Sequence, residues 1–492
     1  MKYAINLILG TILMLSGTYC LAEDIPFGIN NPYDGSAPRE KAYLIKPAMN
    51  DLGVKWVNEN VFRKKIERRP GIYKWRQPDF FVKDVFKDLD IVFNINPKTK
   101  WYVKDSIKVG KKDYIPGGEI DGESYKLYTD FLKQLIKRYK DRVHQWMIFN
   151  EPAPEYKGRP EDYVKLLKVS YLTIKEIDPQ ATVFLGGLAP APPARNFLEK
   201  ILPLLSSEHP VFGKENSKNN NFFDGLDVHY FGLYNEYRQA YNEKTKSAFI
   251  IDDLINIFKK YGLLESKIIT SRAGGTYTGE DLKAKQQGRP LRYQSEAQQA
   301  GYLVRRSLYL LSKGVRPYWS QIREREKWEK SFNDFFCYQG LVYNGVPNGD
   351  KYDKGDGVKK LSYWTYKFSV EKIKETNWKN VSILHDGTGS DHLYLYKLMK
   401  KNGQPLYIAW WDYFDEKEPG KTKSINIDVG NVESVKITEA IPDAEWGKDL
   451  KESNYPDFFK TEVKKVSNGK VVFALEEKPV FAEIEGKTLL VP

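Results

Sequence analysis

Two stretches of this chain carry residues that could do chemistry if the fold brings them together. Residues 144–151, His-Gln-Trp-Met-Ile-Phe-Asn-Glu, form a buried apolar strand that ends in Asn150 and Glu151, and Pro152 stops it. A carboxylic acid at a strand end can give a proton to a leaving oxygen when its pKa is raised. Residues 267–275, Lys-Ile-Ile-Thr-Ser-Arg-Ala-Gly-Gly, are a second buried strand, and there the group offered is Arg272. A guanidinium cannot attack carbon, but it can clamp a carboxylate, sulfate or phosphate. His229 and Tyr230 close a third apolar run, and Asn58, Trp101 and Trp319 lie at or near the ends of others. Amides and aromatic rings at such places hold a ligand by hydrogen bonds and stacking.

The elements that must position these residues follow from hydrophobic periodicity. Short apolar runs at 25–30, 54–61, 90–96, 144–151, 182–189, 225–232, 267–273 and 317–324 alternate with helical patterns. The spacing predicts helices over 124–139, 161–177 and 295–313, the first with Tyr125, Tyr128, Phe131, Leu132, Leu135 and Tyr139 on one face. Eight such units predict an α/β fold, a (β/α)8 TIM barrel over 23–375. Beyond a helix at 361–373 the period changes to short strands separated by Gly, Asn and Asp turns. That change predicts a C-terminal antiparallel β-sandwich over 376–492. Long segments after the third and eighth strands fall on the face where a barrel builds its site.

The 492 residues suffice for a large core, and 41% hydrophobic with 29% charged residues describe a soluble globular chain. Lys2, the apolar run 4–15 and a cleavage point after Ala22 predict a signal peptide over 1–22, hence export to a periplasmic or extracellular location. A lipid anchor on Cys20 is disfavoured, because Gly17-Thr18-Tyr19 lacks the apolar residue such a signal needs. No later run is apolar enough to span a membrane. After cleavage only Cys337 would remain, so no internal disulfide is expected. The net charge of +12 favours anionic partners, but the basic residues are dispersed and no nucleic-acid signature is present. None of the five His has metal-ligand spacing; neither a metal nor a cofactor is expected.

With Asn-Glu-Pro on the fourth strand of an eight-strand barrel, the chain resembles the retaining glycoside hydrolases of clan A. Leu52-Gly53-Val54-Lys55-Trp56 with Gly71-Ile72-Tyr73-Lys74-Trp75 is similar to the second-strand region of family 39 and family 5 members. Asp227-Val228-His229-Tyr230 looks like their sixth-strand His-Tyr pair, and Trp319 like the aromatic that floors the sugar site. The resemblance spans nearly all of the chain after residue 22. It implies Glu151 as acid/base, Asn150 as the residue bonding the sugar 2-hydroxyl, and His229 and Tyr230 as subsite walls.

The chain departs from that pattern at the catalytic carboxylate. Clan members read Thr-Glu on the seventh strand, and here Ser271 and Arg272 fall on those positions. Retention needs two carboxyl groups about 5–5.5 Å apart. The Arg two residues after the second-strand Trp is Asn58 here, and Asn60 and Arg63 replace a usual Asp and aromatic. Arg272 at the nucleophile position is expected within salt-bridge or one-water distance of Glu151.

Three readings follow. One is a polysaccharide-binding pseudoenzyme, its ligand anionic and its hydrolysis weak or lost, with Arg272, Arg63 to Lys65, Arg323 and Arg325 supplying positive charge. Another is an active retaining O-glycosidase whose nucleophile has moved to Glu280, Glu324 or Glu326. The third is an envelope scaffold with no glycan ligand, which the aromatic-bearing loops disfavour.

Overall fold

In a computed structural model the chain is described over residues 25–488, apart from 33–38, 153–157, 189–191, 243–246, 265–266, 281–292, 326–334, 346–352, 389 and 415–419. The signal peptide, Cys20 and Glu326 lie outside the described residues. Eight parallel strands close into a barrel: β1 (Gly28–Asn30), β2 (Trp56–Phe62), β3 (Asp90–Asn96), β4 (Gln145–Asn150), β5 (Thr182–Leu188), β6 (Gly225–Phe231), β7 (Ile268–Gly275) and β8 (Val315–Ser320), with β1 pairing β8. Each corresponds to one of the eight apolar runs. Helices α1 (Arg39–Asp51), α2 (Glu123–Tyr139), α3 (Pro160–Ile177), α4 (Pro192–Leu205), α5 (Ile251–Lys260), α6 (Glu296–Ser312) and α7 (Leu361–Ile373) follow strands around the barrel. Ser295 caps α6, accepting from the Gln298 amide while the Gln298 side chain returns to the Ser295 amide.

β8 starts and stops earlier than its apolar pattern. Ile322 continues the alternation, but it lies past the strand, where its carbonyl accepts from Val342 N. Burial of a loop side chain imitates a strand in the sequence.

Side-chain alternation sorts the barrel interior into layers. Lowest is Trp56, with the Arg316 guanidinium 4.2 Å over its ring. Above it the core is filled by Phe184, Tyr318, Met147, Gln145 and Arg272, so the barrel is packed rather than open. Asparagines and a serine form the layer at the carboxyl ends of the strands.

Behind the barrel lie β9 (Ser382–Asp386), β10 (Leu393–Met399), β11 (Pro405–Trp411), β12 (Lys423–Asp428), β13 (Val432–Glu439), β14 (Thr461–Lys465), β15 (Lys470–Leu475) and β16 (Val480–Thr488). Six of them form one antiparallel sheet in the order β9-β10-β11-β16-β13-β14, and β12 with β15 form the second. Leu393, Leu395, Ile425, Ile427, Val471 and Phe473 fill the space between the two sheets. Tyr394, Tyr396 and Trp410, on the opposite face, join the barrel core instead. The sandwich is clamped to the barrel by Glu296, whose Oε2 accepts from Leu361 N at 2.7 Å and Gly447 N at 2.8 Å. Arg305 Nη1 adds a bond to Glu477 O at 3.0 Å. Sequence periodicity misses β9 and β14. These are the two edges of the large sheet, and with almost every residue exposed they have no buried stripe to reveal them.

Candidate active site

β4 delivers Glu151 to the barrel mouth through a strained end. Phe149 and Glu151, on either side of Asn150, have φ of 75° and 46°, a left-handed backbone that side chains other than glycine adopt at a cost. The strand below is braced by Tyr163 of α3, whose hydroxyl donates to Ile148 O at 3.1 Å and accepts from Gly186 N at 3.0 Å.

His229, inward-facing on β6, meets Glu151: its Nδ1 stands 2.6 Å from Glu151 Oε1. On the other side of the ring, Nε2 is 3.4 Å from Asp227 Oδ2. Gly187 makes this possible, since a Cβ there would lie 2.2 Å from His229 Nε2. Asp227 is fully buried, and its Oδ1 accepts from Thr270 Oγ1 at 2.7 Å and from Arg272 N at 2.8 Å. A carboxylate, an imidazole and a second carboxylate therefore run in line from the mouth into the barrel.

Burial acts to lower the His229 pKa, but the two carboxylates overcome it and hold the ring protonated, with a value pushed up to about 10. For Glu151, burial acts upward, and the His229 hydrogen bond and charge outweigh it, leaving the carboxyl below its ordinary range. As it stands, Glu151 is an ionised hydrogen-bond acceptor and a weak proton donor. The sign of the linkage can be tested. The raised His229 contributes stability that is complete below its unfolded value of 6.5 and is lost as pH rises toward 10; the lowered Glu151 contributes above about 4.5 and is lost in acid. Urea denaturation of the protein and its His229→Gln variant should differ most between about pH 4.5 and 6.5 and converge toward pH 10. A gap that widens at alkaline pH would refute the paired imidazolium.

Arg272 is not beside Glu151. Its guanidinium stacks 3.6 Å over the Phe184 ring, with Nη1 3.8 Å from Met147 Sδ and Nη2 3.4 Å from Gln145 Oε1. Met147 precedes Glu151 by four residues, so at about 3.3 Å per residue Arg272 reaches a level on the order of 10 Å beneath the mouth. The physical reason is register. The β6–β7 pairing shifts between Asp227 and His229, so that Asp227 faces Thr270 while His229 faces Ala273. From the level of His229 upward β7 presents only Ala273, Gly274 and Gly275, and none of its residues is a carboxylate.

Around the rest of the mouth runs a belt of amides. Asn58 Nδ2 donates to Asn30 Oδ1 at 2.7 Å, Asn30 Nδ2 to Ser320 Oγ at 3.1 Å, and Asn94 Nδ2 to Asn150 Oδ1 at 3.1 Å. Asn58 and Asn94 are almost wholly buried, and among the described residues nothing donates to their Oδ1 atoms. Those acceptors suit the hydroxyls of a polar ligand.

The other expected site residues lie apart from this cluster. Alternation turns Tyr230 away from the mouth, against Arg306 and Tyr302. Trp319 is 2% exposed, its indole donating to Gln339 O at 3.0 Å and its ring edge-on to Tyr302, while the inward place on β8 belongs to Ser320. Trp101 donates to Glu67 O at 3.2 Å and stacks with Arg63, which is itself paired to Glu67. Glu324 is buried against Lys360, and Arg323 pairs with Asp356. Sequence reasoning overlooked Asp227, Asn30, Asn94 and Ser320, whose signal is a polar residue at an inward position of an otherwise apolar strand. Among the described residues no group of three or more His, Cys, Asp and Glu could hold a metal, and no helix is long and apolar enough to cross a membrane.

The chain matches no protein-family model and no curated protein sequence. Solved structures do share its fold. A family 39 glycoside hydrolase from Bacteroides cellulosilyticus superposes with a TM-score of 0.63 at 16% identity, over 94% of this chain and 82% of that one. A monomeric beta-xylosidase from Caulobacter crescentus gives 0.53 at 14% identity, covering 94% of this chain and 96% of that one. A family 30 endoxylanase from Clostridium papyrosolvens gives 0.52 at 11% identity, over 93% and 96%. The likeness to these three enzymes is one of fold.

Proposed function

We propose that this is an exported protein that binds a polysaccharide or oligosaccharide at the mouth of a glycoside-hydrolase barrel and hydrolyses it weakly or not at all. The observation that carries the reading is the pairing of Glu151 with a protonated His229 opposite a β7 rim made of Ala273, Gly274 and Gly275. Retaining hydrolysis needs a second carboxylate about 5–5.5 Å from the first and a proton donor with a raised pKa. Here the nucleophile's strand offers a methyl group and two glycines, and Glu151 is held ionised. Loss of the covalent step lowers the rate by several orders of magnitude. Binding needs less: the amide belt, in which the Asn58 and Asn94 oxygens have no donor among the described residues, offers a shaped set of hydrogen-bonding groups.

The anionic character of the ligand is part of the proposal. It no longer draws on Arg272, which is buried, but on the net charge of +12 and on Lys65 and Arg325 beside the mouth. The alternative, an active O-glycosidase with a relocated nucleophile, would have to draw on Glu280 or on Glu326.

A glycan array on the protein without residues 1–22, with product release measured on every glycan that binds, tests this reading. Binding without turnover is expected, and Glu151→Gln should retain most of the binding. Rapid turnover abolished by Glu151→Gln would establish a glycosidase with an unfamiliar second carboxylate.

A further inference from the structure

Beside the mouth, where the carboxyl ends of β1 and β2 approach the chain leaving β8, lies a cavity of about 290 Å³ whose lining includes none of Glu151, His229, Asn58 and Asn94. That is close to the lower end of the range for small-molecule pockets, about 300–1,000 Å³. Its walls differ in character. Phe62 and Phe81 provide apolar surface, while Glu59, Lys65, Gln321 and Arg325 provide charge and hydrogen bonds.

Gln321 marks the cavity as built for a ligand. The side chain is 3% exposed, and its Oε1 accepts from Arg325 Nε at 3.1 Å. That bond fixes the amide, whose Nε2 is buried and has no acceptor among the described residues, and Gln321 is part of the cavity lining. A buried N–H without an acceptor is destabilising, and a ligand oxygen would supply what it lacks. The same bond orients the Arg325 guanidinium. Lys65 Nζ is held 4.9 Å from the centroid of the Phe62 ring, the second cation of the site. Glu59 repels any acid group placed beside it, so a ligand's negative charge belongs with Lys65 and Arg325.

We propose that this cavity is a subsite for one carboxylated sugar residue of a bound chain. The carboxylate lies with Lys65 and Arg325, the carbon face of the ring lies on Phe62 and Phe81, and a ring or hydroxyl oxygen accepts from Gln321 Nε2. The proposal rests on the glycan-binding reading above and assigns its charge preference to a site separate from Glu151.

Calorimetry on the full mature chain at about 0.15 M salt, where long-range attraction is screened beyond about 8 Å, tests it. The probes are tetrasaccharides of galacturonate, mannuronate and hyaluronan, beside xylotetraose and cellotetraose. At least one acidic tetrasaccharide should bind tenfold more tightly than the neutral ones. The double variant Lys65→Met, Arg325→Met should erase that preference while changing neutral binding less than twofold, and Gln321→Leu should weaken the preferred acidic tetrasaccharide at an unchanged denaturation midpoint. A distant pair, Lys464→Met with Lys465→Met, should leave the preference intact. Equal binding of both classes, a preference that survives the Lys65 and Arg325 substitutions, or its loss in the distant pair overturns the subsite alone. Absence of binding by every tetrasaccharide overturns the glycan reading as well.

Discussion

Replacing Arg272 by Glu should not create a glycosidase; it should destabilise the barrel by about 3–5 kcal/mol, the range for a buried charge left without its partner. The guanidinium lies flat on Phe184, with Met147 and Gln145 at its edges and no exposure to solvent. A carboxylate in that space would lose the attraction of the ring face, which favours cations, and would meet the negative edge of the site at Asp227. It would also stop well short of the mouth, so adding Asn58→Arg should not restore hydrolysis. Arg272→Met, which keeps most of the volume and introduces no charge, should cost less than Arg272→Glu, because the cavity term stays small. Urea denaturation of the two variants measures the difference. Glu151-dependent hydrolysis by a stably folded Arg272→Glu protein would show that this side chain can reach the mouth after all.

Asp227→Ala should be comparably damaging, by about 3–5 kcal/mol, while Asp227→Asn should fold and report on the electrostatics. Alanine leaves the Thr270 hydroxyl and the Arg272 amide without their shared acceptor and removes one of the two anions beside a buried imidazolium. Asparagine keeps an acceptor oxygen for Thr270 and Arg272, removes the charge, and turns an NH2 donor toward His229 Nε2 in place of Oδ2. His229 should then titrate well below its value of about 10, because burial remains and half of the opposing charge is gone. Glu151 should in turn lose part of the interaction that keeps it ionised. An imidazole NMR titration of Asp227→Asn against the unmodified protein reads this directly. An unchanged His229 titration would mean that Glu151 alone holds the proton.

The barrel was legible because its strands are buried on both faces and its helices on one. Continuous apolar runs such as 90–96 and helical stripes such as Tyr125 to Tyr139 leave a signal in composition and period. Exposed edge strands such as Ser382–Asp386 leave none. Within the site, proximity of Glu151 and His229 followed from both standing at the ends of parallel strands. The fates of Tyr230 and Trp319 did not. In a strand the face changes with every residue, so a one-residue difference in register decides whether a ring meets the ligand or the helices.

By itself the sequence determined the architecture, the place of Glu151 at the mouth, and the absence of a carboxylate on the seventh strand, since composition and period need no coordinates. Only the tertiary structure decided what occupies that gap. The register shift between β6 and β7 leaves Arg272 in the core and sets Ala273 level with His229, with two glycines above it. It also let the fold, not the local sequence, choose the partner of Glu151. A charge buried in the barrel must find a ring or an acceptor within a few ångströms, and for Arg272 those neighbours, Phe184 and Gln145, come from β5 and β4, far away along the chain.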